Sequence, residues 1–191
     1  MSIIGPAQPQ NALGSTGVLN GIATYTNNLA LGATARASSE FPGFPVTSVN
    51  DGEYTGLNWG NGGGWNDNTS NRFPDWVEID LGQQKRISEI DVFTLQDTFG
   101  ANSIDLTTTF TLYGIQDFQV QYLSESKRGT AGQKNDRPTK PNWVTVPGGG
   151  VINNDKVWRQ FRFSPLRTSK IRVLVNRALA SYSRITEIQV Y

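Results

Sequence analysis

Residues 51 to 72 read DGEYTGLNWGNGGGWNDNTSNR and gather many of the side chains in this sequence that can do recognition chemistry. Within them, NWGNGGGWND (58 to 67) sets Trp59 and Trp65 around a run of glycines, with Asn58, Asn61, Asn66 and Asp67 between and beside them. A glycine-rich stretch first suggests a phosphate cradle. That chemistry needs a GxGxxG or GK[ST] pattern opening a helix, and Gly60, Gly62, Gly63 and Gly64 fit neither and lead into no helical periodicity. What remains is a loop whose glycines permit positive φ and close backbone approach while indole faces and amides are displayed. An apolar face beside planar amide, carboxylate or guanidinium groups is what a pyranose requires. Trp59 and Trp65 would supply the face, and Asn58, Asn61, Asn66, Asp67 and Arg72 the hydrogen bonds. The competing expectation is that one or both tryptophans plug the base of the fold, because Trp is highly buried on average.

A second group with similar chemistry is NRALASYSR (176 to 184), where Asn176, Arg177, Tyr182 and Arg184 suit hydroxyl and carboxylate contacts. Tyr54 and Phe99 are candidate aromatic rims. Each of these alone is more often a surface residue than a ligand contact, so only their convergence would make a site.

The 191 residues contain no histidine and no cysteine. Disulfides, thiolate nucleophiles, histidine bases and zinc sites built on His or Cys are thereby excluded. A metal would have to be a hard cation held by oxygen, with calcium the natural candidate. Catalysis is not expected: Asp67 and Asp75 flank the loop, but neither lies in an evidently apolar stretch that would raise a carboxyl pKa for acid catalysis. Seventeen basic and 16 acidic side chains nearly cancel, so no global field argues for nucleic acid or an anionic membrane.

The elements that must position these groups are short and alternating. WVEIDLG (76 to 82) places Val77, Ile79 and Leu81 on one face, and ISEIDVF (87 to 93) places Ile90 and Val92. FQVQYL (118 to 123), KIRVLV (170 to 175) and ITEIQVY (185 to 191) continue the pattern, the last with Glu187 opposite Thr186, Ile188 and Val190. Thr107 to Leu112 alternates enough to predict a further strand, and no window reads as an amphipathic helix. This predicts an all-β antiparallel sandwich over residues 28 to 191. Residues 1 to 27 read as an N-terminal extended arm, and residues 124 to 142 as a polar hairpin tip. Trp76 and Trp143 open strand signatures and are expected to be buried, whereas Trp158 falls on the face opposite Val157, Phe161 and Phe163.

The order of local signatures resembles the discoidin-like, or factor V/VIII type C, domain of the galactose-binding-like superfamily. The matching pieces are NLALGATARASS (28 to 39), VNDG (49 to 52), DWVEIDLG (75 to 82), FQVQY (118 to 122), NWVTV (142 to 146), WRQFRFSPLRTSKIRV (158 to 173) and SRITEIQVY (183 to 191). NWGNGGGWND and TFTLYGIQDFQVQY also look like the bacterial modules of this type found in secreted carbohydrate-active proteins. The resemblance implies a jelly-roll sandwich of about eight strands, usually non-catalytic, with ligand loops at one end. It also implies a structural calcium held by Asp51 and Glu187, with main-chain oxygens from Ser48, Glu53 and Thr186. Leu57 stands where many relatives have Ser or Thr, so Thr55 or Asn58 would complete the shell.

A carbohydrate-binding, lectin-like module recognising extracellular or cell-surface glycans is therefore the first expectation. A structural or decorative subunit of an extracellular or viral assembly, joined through residues 1 to 27, is the second. The start MSIIGPAQPQ lacks the basic and apolar regions of a secretory signal, so either a native signal has been removed or the protein leaves its cell by another route, for instance within an assembled particle. The expected place is extracellular or on the surface of such a particle. Membrane binding through Leu57 and Trp59 is the weakest expectation, since no basic ring surrounds them.

Overall fold

A computed structural model describes residues 27–100, 103–124 and 142–191. The arm proposed for residues 1 to 27 lies outside the described residues except for Asn27, and most of the 124 to 142 segment also lies outside them.

Among the described residues seven strands form an antiparallel β-sandwich: β1 (Thr34–Ala37), β2 (Trp65–Asn66), β3 (Asp75–Thr94), β4 (Ile115–Ser124), β5 (Asn142–Val151), β6 (Trp158–Ala178) and β7 (Arg184–Val190). Fewer strands appear than the eight or so expected because the two segments WVEIDLG and ISEIDVF belong to one strand of 20 residues. Its partner β6 is 21 residues long. Register shifts between Asp80 and Lys85 and between Ile87 and Glu89 interrupt their ladder. The first half of β3 pairs with β1 and the end of β6, and its second half pairs with β7 and the start of β6. The two long strands thus contribute to both layers. One core joins them, with Val77, Ile79, Ile171 and Val173 from one half packed with Ile90, Val92, Phe161 and Ile188 from the other.

Alternation holds in the first half of β3 and fails in the second, where Glu89, Asp91 and Phe93 are buried as well as Ile90 and Val92. Phe93 is covered by a smaller cluster with Ile104, Phe110 and Val157, against which Tyr54, Trp158 and Leu179 pack, while Glu89 accepts from the Gln160 amide and the Arg162 guanidinium of β6 at 2.9 and 2.6 Å. Residues from the long connection after β3 cover this outer face. Thr107 to Leu112 is not a strand: it makes one isolated bridge, Thr109 to Lys156. Trp158 stacks on Phe93 at 5.2 Å, consistent with its place off the main core. Trp76 and Trp143 are only half-buried, against expectation. Trp143 instead lies under Arg172, whose guanidinium carbon is 4.4 Å from the ring centre.

The start of the described domain is tied to its end. The Leu29 N–H donates to the Val190 carbonyl, and the Asn28 Oδ1 accepts from the N–H groups of Ala30 and Val190. Strand β7 is consequently buried along nearly its whole length, which puts Glu187 inside the protein and not on a solvent face.

Candidate functional site

The loop from Gly56 to Gly64 folds back on itself through main-chain bonds. The Trp59 N–H donates to the Gly56 carbonyl at 3.0 Å, and the N–H groups of Asn61 and Gly63 donate to the Asn58 carbonyl at 2.7 and 3.2 Å. A side chain at Gly63 would bring its Cβ to 2.1 Å from the Leu57 carbonyl oxygen. At Gly64, with φ of +141°, the clash would be with the Trp59 ring at 2.8 Å. These glycines therefore allow the tight fold that seats the Trp59 indole. The indole packs on Phe44 with ring centres 4.7 Å apart, and Phe99 lies 6.4 Å away on a tilted plane.

Trp59 lines a cavity of about 330 Å³. Four of the expected ligand residues meet there: Trp59, Asn66, Tyr182 and Arg184, with Phe99 as the expected rim. Phe41, Phe44, Leu95 and Tyr113 complete the lining and were not anticipated. The signal available for the first two was EFPGFP (40 to 45), which places two large aromatic residues in a proline- and glycine-rich turn. Tyr113 follows the segment expected to be a strand, Thr107 to Leu112, and Leu95 follows a core strand, so neither offers a distinguishing pattern.

Other expected residues lie elsewhere. Trp65 is fully buried and donates its indole N–H to the Ser39 carbonyl at 2.8 Å, so neither face can serve as a platform. Asp67 is also fully buried: its Oδ1 accepts from the Ser183 N–H at 2.6 Å, and its Oδ2 accepts from the N–H and hydroxyl of Thr69. Its oxygens are therefore consumed within the protein. Asn58, Asn61 and Arg72 are exposed but not part of the cavity lining. Tyr54 packs on Phe93 at 5.1 Å in the smaller cluster. Arg177 closes β6 and pairs with Asp117 through its Nε and Nη2 atoms at 2.7 and 2.9 Å.

Asp67 and Asp75 do occupy a buried setting that their sequence context did not suggest. The Thr69 hydroxyl is placed between them, and the Ser183 hydroxyl donates to Asp75 Oδ2 at 2.7 Å. Burial raises the Asp75 carboxyl, and the Asp67 charge adds to that, while Ser183, Thr69 and Ser38 pull it down. The arrangement pins residues 67 to 75 to the chain immediately before Arg184.

Arg184 is buried, and its guanidinium is held by main-chain carbonyls. Nη1 donates to Leu179 and Tyr182 at 3.1 Å each, and Nη2 donates to Ala180 at 3.3 Å. The rings of Tyr113 and Tyr182 lie 5.4 and 5.5 Å from its central carbon. Two of the carbonyls come from the 3-10 turn Leu179–Ser181, where Ala180 and Ser181 both have positive φ, and the third from Tyr182 just after it. A strained turn thus orients the cation at the cavity.

No family model matches this chain, and no curated protein matches it by sequence. Solved structures do resemble it. Chitosan-binding module 1 of a chitosanase/glucanase from Paenibacillus sp. IK-5 superposes with a TM-score of 0.59 at 21% identity, covering 86% of this chain and 98% of that one. The family 32 carbohydrate-binding module from C. perfringens NanJ, solved with galactose, gives 0.55 at 17% identity over 82% and 91% of the two chains. A fucose-binding module from Streptococcus pneumoniae gives 0.56 at 18% identity over 86% and 97%. This chain has the galactose-binding-like, discoidin-type fold. At these identities the likeness concerns architecture alone.

In this discoidin-type sandwich the turn at Asp51 abuts Glu187. The Gly52 N–H donates to Glu187 Oε2 at 3.2 Å, while Glu187 Oε1 has no hydrogen-bond partner among the described residues. Burial pushes the Glu187 carboxyl up to about 9, with the Gly52 N–H opposing and the Asp51 charge reinforcing the rise. Asp51 is itself raised, chiefly by burial and further by the charge of Glu53. Glu53, expected to offer its main-chain oxygen, also brings in a buried carboxylate oxygen, Oε2, without a hydrogen-bond partner among the described residues. Its Oε1 accepts from the N–H and hydroxyl of Thr55. The Thr186 hydroxyl donates to the Tyr54 carbonyl at 2.9 Å and Ser48 is buried nearby in the 3-10 turn Val46–Asn50. Unpartnered carboxylate oxygens in mutual repulsion are a donor set that fits a hard divalent cation. Among the described residues no group of three or more acidic side chains is disposed to hold a metal, so main-chain oxygens would have to complete the shell.

Proposed function

We propose that the protein is a non-catalytic, lectin-like module that binds glycans in the cavity beside Trp59. The observation that carries this reading is the cavity itself: aromatic faces from Trp59, Phe44 and Tyr182 surround a space of about 330 Å³ that also receives the Arg184 guanidinium. Aromatic faces accept the C–H side of a pyranose, and a guanidinium fork addresses oxygen atoms at its edge. The resemblance in fold to modules solved with galactose or described as binding chitosan or fucose supports the choice of a sugar over another small ligand. The test is a glycan array probed with the native chain and with Trp59→Ala. Loss of signal of about 10-fold or more with the variant, equivalent to ~1.4 kcal/mol, is expected. Undiminished binding would move the site elsewhere.

The reading includes a structural Ca²⁺ at the Asp51 turn, with Asp51 and Glu187 as side-chain ligands. Ser48, Thr186 and Glu53 would supply main-chain oxygens, and Thr55 would assist. When bound, the cation would neutralise the carboxylates beneath the loop that carries Trp59 and so order its base. An extracellular place, or one on an assembled particle, follows as the setting in which glycans and millimolar calcium are met. Among the described residues no helix is long and apolar enough to cross a membrane.

A further inference from the structure

The chemistry of the cavity is lopsided. Seven of its lining residues present aromatic or aliphatic bodies, and Asn66 and Arg184 are the remaining two. The Asn66 side-chain amide already donates to the Asp67 carbonyl at 2.6 Å. Arg184 is different. A guanidinium carries five N–H groups in a fixed plane. Leu179, Tyr182 and Ala180 accept from three of them, all on the two terminal nitrogens. Among the described residues nothing accepts from the Nε–H or from the second Nη2–H, and Nε with Nη2 is one of the bidentate edges of the fork.

The same edge is occupied elsewhere in this protein, which shows what it is suited to hold. Arg177 places Nε and Nη2 on the two carboxylate oxygens of Asp117. Arg184 has no such partner: among the described residues no ion pair includes it. Asp67 is near enough for its charge to act on Arg184, but both its oxygens are held by Ser183 and Thr69. The two tyrosine faces give the cation partial relief. Burial still disfavours its charged form more than any neighbour restores it. A buried cation with a free bidentate edge, at a cavity whose other lining residues carry no charge, is complementary to a planar anion. A neutral hexose could bond the Tyr113 and Tyr182 hydroxyls and Asn66, but it would leave the buried charge of Arg184 without a counter-charge.

We propose that the cavity selects an acidic sugar, a uronic acid or other carboxylate-bearing pyranose, whose carboxylate sits on the Nε–Nη2 edge of Arg184 while its ring lies against the aromatic faces. This rests on the glycan-binding reading and names the class of glycan. Lysine could not replace this residue, because an ammonium keeps the charge but not the parallel pair of N–H groups.

Isothermal titration of the full chain with methyl glycosides of glucuronic and galacturonic acid, their carboxyl methyl esters and the matching neutral hexosides separates the possibilities. The free acids are expected to bind about 10-fold or more tightly than either neutral partner, and increasing salt should weaken that preference. Arg184→Lys should reduce the acid-to-ester ratio several-fold. Because Arg184 also holds the turn at Leu179 to Tyr182, thermal melting and far-UV dichroism of the variant accompany the titration, and the acid-to-ester comparison on the native chain stands without it. Esters or neutral hexosides that bind as tightly as the acids would overturn the proposal and leave the glycan-binding reading intact. Absence of binding to every sugar, here and on the array, would overturn both.

Discussion

Trp65 is closed to solvent and its indole N–H is satisfied by the Ser39 carbonyl, so its role is in the packing of β2 against β7. Trp65→Ala is expected to cost ~3–5 kcal/mol through the lost transfer energy and the cavity left behind. For a domain of this size that corresponds to a drop in Tm of about 10 °C, readable by calorimetry. Trp65→Phe keeps most of the volume and should leave ligand binding unchanged while costing less stability. Trp59, six residues earlier, should behave in the opposite way: Trp59→Ala removes a half-buried ring at the cavity and is expected to cost binding more than folding.

The element that couples these residues to the rest of the sandwich is the Asp51 turn against β7. Glu187 has an ordinary pKa of 4.5 and is raised to about 9 in the folded chain. The folded state therefore keeps a proton that the unfolded chain releases, and stability is lost as pH rises from 4.5 towards 9. A bound Ca²⁺ favours the ionised form and reverses that dependence. Melting curves in EDTA should thus fall across this window, and millimolar CaCl₂ should restore them by an amount that grows with pH. Glu187→Gln should abolish the calcium effect and leave only the part of the pH dependence that Asp51 and Asp91 contribute. Identical curves with and without calcium at every pH would remove the metal from the account.

The second half of β3 gives a separate titration. Asp91 is buried and raised to about 7, first by desolvation and then by the charge of Glu89. By the same sign it weakens the fold as pH rises from 3.8 towards 7, and Asp91→Asn should flatten that part of the Tm profile. This lies on the face covered by Phe93 and Trp158, away from the cavity lining, so glycan affinity should not change.

For the molecule as a whole, one shallow site beside Trp59 predicts weak monovalent binding, and useful adhesion would come from several copies. Avidity can exceed a single-site affinity by ~10²–10⁴ without any new contact. If residues 1 to 27 mediate assembly, the full chain should elute from a sizing column as an oligomer and a chain of residues 28 to 191 as a monomer. Identical elution would deny the arm that role. The net charge of +1 has a consequence as well: salt dependence of binding would arise locally at Arg184 and not from a global field.

The sandwich was legible in the sequence because burying one face of a strand leaves a period of two, and Val77 with Ile79, Phe118 with Val120 and Val173 with Val175 carry it in alternate residues. The absence of histidine and cysteine closed off whole classes of chemistry for an equally direct reason, since those reactions need those atoms. The failures have one cause. Glu89, Asp91 and Glu187 alternate as solvent-facing residues should, yet side chains of β6 enclose the first two and the turn at Asp51 meets the third, and periodicity cannot register what lies on the second face of a sheet. Trp59 and Trp65 are likewise indistinguishable by composition. Only the contacts of Ser39 and Ile185 with one, and of Phe44 and Phe99 with the other, decide which is core and which meets the cavity. The free edge of Arg184 is tertiary information for the same reason: it depends on which of its N–H groups the carbonyls of Leu179, Ala180 and Tyr182 have already taken.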